Sequence, residues 1–133
     1  MKALWAFALA ACAGAASAQA PCPRGWEIGQ AEMLGSWSAE FEGGGPVGTL
    51  VLRKHEEYAG SLSGHLDRGG QRRQVAGDMD EGEFTLEDSV DGQRISGTWL
   101  GEAVDGSCGR EVRGTWSVDG AGKDARSFVL RKQ

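Results

Sequence analysis

Two stretches of the chain, Ile95-Ser96-Gly97-Thr98-Trp99 and Val112-Arg113-Gly114-Thr115-Trp116, decide its fold, and Gly35-Ser36-Trp37 repeats their ending. Residues two apart share a face of a β-strand. An apolar side chain, a glycine and an indole therefore line one face of each longer stretch, and hydroxyl or charged side chains line the other. A glycine weakens a strand unless its missing side chain makes room for a neighbour, and we expect a Trp or Phe of the adjacent strand to occupy that room. The pattern predicts β-strands with one sheltered face.

The same alternation recurs along the chain and predicts eight strands, at residues 36–41, 49–54, 59–64, 72–79, 83–87, 94–100, 111–117 and 127–131. Before them, residues 25–34 hold at most one short helical turn. Asp-Gly and Gly-Gly pairs between the strands supply the positive φ of tight hairpins, so sequential strands should pair antiparallel. A sheet with one apolar face has to cover it, and closing on itself does so. We predict an all-β fold, an eight-stranded antiparallel up-and-down β-barrel, with a two-sheet β-sandwich as the alternative.

The alternation also assigns the residues that face the interior: Trp37, Ala39, Phe41, Leu50, Leu52, Gly60, Leu62, Gly64, Val75, Gly77, Met79, Phe84, Leu86, Ile95, Gly97, Trp99, Val112, Gly114, Trp116, Phe128 and Leu130. The large apolar groups nearly fill a barrel of eight strands, which favours a packed core. The inward glycines leave some room, and the alternative is a pocket for a small apolar ligand. Such a ligand would contact Trp37, Trp99, Trp116, Met79 and Phe84.

The first 18 residues have the composition of a secretory signal peptide. Met1-Lys2 provides a positive start, residues 3–13 are apolar, and Ala16-Ser17-Ala18 fits the small-x-small cleavage pattern. The apolar run is shorter than the ~20 residues that span a bilayer, so we expect no transmembrane segment after cleavage. Leu9-Ala10-Ala11-Cys12 resembles a bacterial lipoprotein box, and in that alternative Cys12 carries the lipid. The predicted organisation is a signal peptide at 1–18, an N-terminal lead at 19–34 and a barrel at 35–133.

The cysteine content indicates the cellular compartment of the protein, and the net charge indicates which partners it can attract. Cys22 and Cys108 remain after cleavage, and an even pair in an exported chain predicts a disulfide bond. We therefore expect a periplasmic or secreted protein, or a lipid-anchored one if Cys12 is modified. The chain has 19 acidic residues against 14 Lys and Arg, a formal net charge of −5. An acidic surface disfavours nucleic acid and favours cationic partners.

The order of these features resembles that of the calycin barrels, the group that contains lipocalins and avidins. A lead ends at Met33-Leu34, Gly35-Ser36-Trp37 opens the first strand, and a meander leads to a last strand with a basic tail. In calycins a Gly-x-Trp motif begins strand one, and its Trp packs near the barrel floor against a basic side chain of the last strand. The resemblance implies that Trp37 lies at the floor with Arg131 as its basic partner.

Clusters of charged residues have simple structural interpretations. Carboxylates alternate in the turn at residues 78–83 but lack the ligand spacing and helices of a calcium-binding loop, and we predict no metal and no cofactor. Arg68, Arg72 and Arg73 form a basic hairpin tip, which we interpret as a solvated surface rather than a phosphate or polymer site. His55 and His65 accompany no activated nucleophile, so we predict a protein that is not an enzyme.

Three functions remain. The first is a binding module that holds a small apolar ligand in the barrel. The second is a protein-binding barrel, for example an inhibitor of a basic cell-envelope hydrolase, which an acidic surface would attract. Its contact surface would be the loop at residues 101–110 together with Trp26. The third is a structural component of the cell envelope. The calycin outline favours the first by analogy of fold.

Overall fold

Eight antiparallel strands pair in sequence order and close into a barrel in the computed structural model of the chain. The structure describes residues 10, 11, 14, 21–118 and 124–133. A 3-10 turn, Gly25–Glu27, and a short helix α1, Gln30–Met33, precede the barrel. The strands are β1 Gly35–Phe41, β2 Gly48–Lys54, β3 Leu62–Arg68, β4 Gln71–Asp80, β5 Glu83–Ser89, β6 Gly97–Ala103, β7 Glu111–Val118 and β8 Arg126–Lys132. The prediction of an all-β, up-and-down barrel is confirmed.

The predicted signal peptide lies outside the described residues except for positions 10, 11 and 14. Cys12 is also outside them, so cleavage and lipidation stay predictions. No helix in the described part of the chain combines the length and the hydrophobicity that spanning a membrane requires.

Strand β3 begins at Leu62, three residues later than predicted. The preceding residues form a turn in which Ser61 N donates to the Tyr58 carbonyl at 3.1 Å, and His55 N donates to the Ser61 carbonyl at 2.9 Å. Gly60 lies inside this turn with φ 87°, a left-handed conformation that suits glycine. The prediction that Gly60 faces the interior is wrong, because the turn takes it out of the strand.

Strand β6 also begins three residues later than predicted, at Gly97. The Asp91 carboxylate accepts hydrogen bonds of 2.8 Å from the backbone N–H groups of Gln93 and Arg94. Those groups are therefore engaged in a loop and do not start the ladder with β5. Ile95 consequently lies before the strand with 47 % of its surface exposed, and its predicted inward position is wrong.

The pairing of β1 with β8 closes the sheet. Trp37 lies opposite Lys132, and Phe41 lies opposite Phe128. Every strand in the described part of the chain therefore has two hydrogen-bonded neighbours, and this barrel leaves no strand edge to pair with another chain. We call the end where β1 begins and β8 ends the floor, and the opposite end, where β1 ends, the mouth.

Apolar side chains fill the barrel from the floor up to the level of Trp99. The rings of Trp99 and Phe128 meet edge to face with centroids 4.9 Å apart, and Phe84 contacts Phe128 at 6.2 Å. Contacts of this kind add about 0.5–1.5 kcal/mol to the stabilisation from burial. Leu66 joins this core because β3 runs further than predicted. The buried apolar residues are Ile28, Met33, Trp37, Ala39, Leu50, Leu52, Leu62, Leu66, Val75, Met79, Phe84, Leu86, Trp99, Val112, Phe128 and Leu130.

Inward glycines make room for backbone as well as for aromatic rings. A Cβ at Gly97 would collide with the indole of Trp116, as the repeated motif predicts. At Gly64, Gly77 and Gly114 a Cβ would instead strike a carbonyl oxygen of the neighbouring strand. At Gly114, where the repeat predicts an aromatic neighbour, the atoms nearest to such a Cβ belong to the backbone of Leu100 and Gly101. The missing side chains of these three glycines let adjacent strands of the curved sheet approach closely.

The N-terminal lead closes the floor. Met33 is fully buried, and its carbonyl accepts a hydrogen bond of 2.9 Å from the indole N–H of Trp37. The Lys132 ammonium lies 5.0 Å from the centroid of the Trp37 ring. The same ammonium donates hydrogen bonds to the carbonyl oxygens of Glu32 and Leu34. The end of α1 is thereby held against the last strand.

Lys132, and not Arg131, is the basic partner of Trp37. Successive residues of a strand face opposite sides, and Arg131 points outward. There its guanidinium pairs with Glu40 at 2.9 Å and with Glu111 at 3.3 Å. The prediction of Arg131 is wrong by one residue, which on a strand separates the inside of the barrel from the outside.

A disulfide joins Cys22 in the lead to Cys108 in the loop between β6 and β7, across a sequence separation of 86. The predicted pairing is confirmed. In the chain-entropy account, closing a loop of this length stabilises the fold by roughly 4 kcal/mol. Beside it, the N–H of Gly25 donates to the Asp105 carboxylate at 3.0 Å. The disulfide is consistent with a location outside the cytoplasm.

Gly114→Ala should destabilise the barrel by about 1–3 kcal/mol, because the new Cβ has to displace the Leu100 carbonyl of the neighbouring strand. Thr115→Ala is the control: Thr115 is exposed on the same strand, and its replacement should cost less than about 1 kcal/mol. Urea denaturation gives the free energy of unfolding of both variants. Equal values for the two would contradict the close approach of β6 and β7.

Lys132→Met should lower the free energy of unfolding by about 1–3 kcal/mol, because the carbonyl oxygens of Glu32 and Leu34 lose their charged donor. Desolvation lowers the pKa of Lys132, which shows that burying the ammonium has a cost. Part of the energy of its hydrogen bonds offsets that cost. Lys54→Met is the matched control, since Lys54 is exposed at the same end of the barrel. Thermal and urea unfolding compare the two variants. A control that loses as much stability would contradict the role assigned to Lys132.

Candidate functional site

At the mouth, the inward positions change from aliphatic to polar and aromatic side chains. The alternation of each strand continues to its end, so these polar groups occupy the inner face rather than the outer one. They surround a cavity of about 80 Å³ that is partly open to solvent. The lining residues are Phe41, Leu66, Arg68, Gln71, Arg73, Asp88, Trp99, Trp116 and Arg126.

Asp88 is buried in the wall of this cavity, with 1 % of its surface exposed. Its Oδ2 accepts hydrogen bonds of 2.8 Å from the indole N–H groups of Trp99 and Trp116. Its Oδ1 accepts a hydrogen bond of 3.0 Å from Arg73 Nη1. A buried carboxylate is strongly unfavourable unless it is paired and hydrogen-bonded, and here donors from three other strands satisfy it. Asp88 therefore fixes the orientation of two tryptophans and one arginine of the cavity.

Arg68 lies against an aromatic wall. Its guanidinium carbon is 4.4 Å from the ring centroid of Phe41, and its Nε donates to the Pro46 carbonyl at 2.9 Å. Phe41 in turn contacts the rings of Trp99 and Trp116 edge to face, at 5.3 and 6.1 Å. The ring of Phe41 and the loop between β1 and β2 thus hold the cation at the cavity.

The five residues predicted to contact a ligand separate into two groups. Trp99 and Trp116 line the mouth cavity, and Trp116 is half-buried there. Trp37 lies at the floor, while Met79 and Phe84 are packed in the core. None of these last three lines the mouth cavity. A contact between a ligand and any of the five stays a prediction.

The cluster predicted as a solvated basic tip is divided between the two faces of the sheet. Arg68 and Arg73 face the cavity, so the prediction is wrong for them. Arg72 points outward and donates hydrogen bonds of 2.8 and 2.9 Å to the Asp67 carboxylate. These hydrogen bonds lower the pKa of Asp67 below its usual value. Arg72 thus conforms to the expected surface role.

The polar lining of the mouth was not predicted from the sequence, although the period of two in the strands indicates it. Asp88 stands two residues after the buried Leu86, and Arg126 stands two residues before the buried Phe128. Following the period of two beyond the apolar run would have assigned the inner face to Arg68, Gln71, Arg73, Asp88 and Arg126.

Outside the mouth, the histidines make local contacts. His65 Nε2 lies 3.6 Å from Asp67 Oδ2 on the outer face. His55 Nδ1 accepts hydrogen bonds from the backbone N–H groups of Glu57 and Tyr58, at 3.1 and 3.2 Å. Within residues 21–118 and 124–133, no three His, Cys, Asp or Glu side chains come together as candidate metal ligands. Absence of enzymatic activity and of a cofactor stay predictions.

Comparison with known proteins assigns no family to this barrel. The sequence matches no protein-family model, and no curated protein matches it either. The closed eight-stranded architecture is compatible with a calycin-like outline. A function therefore has to be inferred from the geometry of the mouth.

Asp88→Ala should lower the free energy of unfolding by about 2–3 kcal/mol, because two indole N–H groups and Arg73 lose their shared acceptor. Glu87→Ala is the control, since Glu87 is an exposed carboxylate on the same strand. Urea denaturation followed by tryptophan fluorescence measures both variants. If Asp88→Ala and Glu87→Ala unfold at the same urea concentration, Asp88 does not organise the cavity wall.

Proposed function

We propose that the protein is a non-enzymatic binding barrel, periplasmic or secreted, that takes a small ligand at its mouth. The observation that carries the proposal is the cavity of about 80 Å³, where aromatic and polar side chains replace the apolar groups that fill the rest of the core. Ligand sites combine an apolar wall with a few oriented polar groups in a concave surface. Phe41 and Trp116 would contact the apolar part of the ligand.

The size of the cavity limits what enters it. A protein cavity of about 150 Å³ accommodates benzene, so one of about 80 Å³ holds a group of a few carbon atoms. A longer ligand would place only one end inside. This size supports a small molecule, or the terminal group of a larger one, as the ligand.

Contacts within the protein hold the wall of the cavity in place. Asp88 holds the Trp99 and Trp116 indoles through hydrogen bonds, and Phe41 packs against both rings. A wall that is already ordered loses little side-chain entropy when a ligand binds. An ordered wall therefore allows a small ligand to bind even though it contacts only a small area of the protein.

A second candidate function concerns the floor, where the protein would bind a basic partner protein, such as a cell-envelope hydrolase. Trp26 is 68 % exposed in the lead. The groove beside it is bordered by the carboxylates of Glu81, Glu83, Glu102 and Asp105. An exposed tryptophan among acidic groups suits a cationic protein surface. This groove lies at the opposite end of the barrel from the mouth cavity, so the two functions can be tested separately.

Titration with n-butanol and butyrate, followed by proton–nitrogen correlation NMR, tests ligand binding at the mouth. The indole N–H signals of Trp99 and Trp116 should shift and saturate with at least one probe, whereas the signal of Trp26 should stay unchanged. Gln71→Trp fills the mouth and should abolish these shifts. Gln74→Trp, an exposed position on the same strand, should preserve them.

Two results would count against binding at the mouth. One is the absence of saturable shifts at Trp99 and Trp116 with every probe. The other is equal loss of the shifts in Gln71→Trp and Gln74→Trp, which would separate the shifts from the cavity. A basic protein that shifts the Trp26 signal while the mouth signals stay constant would favour the second candidate.

A further inference from the structure

The mouth concentrates positive charge on an acidic protein. Arg68, Arg73 and Arg126 all line the cavity, and Asp88 is the one carboxylate among the described residues that line it. The chain as a whole has a formal net charge of −5. Inward positions of a small barrel are normally apolar, and charged side chains are costly there unless they are paired. Arg68 and Arg73 are half-buried at such positions, whereas Arg126 is exposed at the rim of the cavity. The two half-buried charges call for an explanation beyond solubility.

Asp88 accounts for one of the three charges. Its carboxylate pairs with the Arg73 guanidinium at 3.0 Å, and the indoles of Trp99 and Trp116 complete its hydrogen bonds. The pair is half-exposed on the arginine side and buried on the carboxylate side. Arg73 is therefore part of the wall, and its charge is compensated within the protein.

Arg68 and Arg126 are not compensated in this way. Within residues 21–118 and 124–133, neither guanidinium forms an ion pair. Arg68 uses its Nε to donate to the Pro46 carbonyl, and its guanidinium lies over the ring of Phe41 with Nη2 beside Gly45. Neither terminal nitrogen has a hydrogen-bond acceptor among the described residues, and the side chain lines the cavity. The orientation of this guanidinium is thus set, while the N–H groups of its terminal nitrogens stay available.

We infer that the mouth binds a small organic oxyanion, a carboxylate or a phosphate monoester on a short hydrocarbon chain. This inference rests on the proposed function, because it concerns the same cavity. The oxygens of the anion accept hydrogen bonds from Arg68 and Arg126, since a planar guanidinium matches the geometry of both kinds of head group. The hydrocarbon chain lies against Trp116 and Phe41. A cavity of about 80 Å³ accepts the head group with only a few carbons.

Matched probes with the same hydrocarbon chain test the inference: n-butanol, butyrate and n-butyl phosphate. Each is titrated into the protein at low salt, and the Trp116 indole N–H signal gives the dissociation constant. At least one anion should bind about 10-fold or more tightly than n-butanol, because charge-assisted hydrogen bonds replace neutral ones. The tighter of the two anions identifies the head group. Added salt should weaken the binding of the anion and leave that of n-butanol unchanged.

Arginine variants assign the effect to the cavity. Arg68→Gln and Arg126→Gln should each lose about 10-fold in affinity for the anion and keep their affinity for n-butanol. Arg53→Gln is the control, because Arg53 is an exposed arginine outside the cavity. Circular dichroism shows whether Arg68→Gln folds. If it does not, Arg126→Gln provides the test, because the Arg126 side chain is exposed and its replacement leaves the core intact.

The outcomes separate this inference from the proposed function. Equal affinity for n-butanol and for both anions would overturn the anion inference while binding at the mouth stands. Anion selectivity that survives both arginine substitutions, or that is lost equally in Arg53→Gln, would also overturn it. If no probe shifts the Trp116 signal, the proposed function fails and the inference fails with it.

Discussion

The closed sheet, the position of the lead and the open mouth all depend on the pairing of β1 with β8. It removes both edges of the sheet and places Trp37 opposite Lys132. From that position the ammonium reaches the carbonyl oxygens of Glu32 and Leu34, so the lead is held across the floor. Closure at one end leaves the other end as the place where lining side chains meet solvent. The candidate site is thus a consequence of how the barrel closes.

The interior of the barrel has an apolar part and a polar part. A barrel of eight strands encloses only enough space for side chains, so side chains occupy both parts. Apolar groups fill its lower part, and a carboxylate with its donors occupies the upper part. Asp88 links β5 to β4 through Arg73, and to β6 and β7 through Trp99 and Trp116. A partly satisfied polar network would destabilise the core, but every buried side-chain polar atom of the described residues has a partner. The result is an ordered wall whose remaining cations face the cavity.

Strand number, strand order and antiparallel pairing were predictable because alternation and Asp-Gly turns are local signals. The position of Trp37 at the floor followed from the Gly-x-Trp resemblance. Errors arose where a short-range hydrogen bond competed with the ladder. A turn at Tyr58 and Ser61 delayed β3, and the Asp91 carboxylate engaged backbone groups that would otherwise have begun β6. The alternation of side chains does not reveal this competition, because the same residues can form either a strand or a locally hydrogen-bonded turn.

Read along the chain, local chemistry was sufficient for an all-β barrel with a Cys22–Cys108 bond. The polar lining of the mouth is visible only in the tertiary structure. Asp88 and Trp116 are 28 residues apart, and their hydrogen bond exists only once β5, β6 and β7 are in register. A charged residue at the end of a strand looks the same in sequence whether it is solvated or buried. Partners distant in the chain decide between the two, because they alone offset the cost of removing a charge from water.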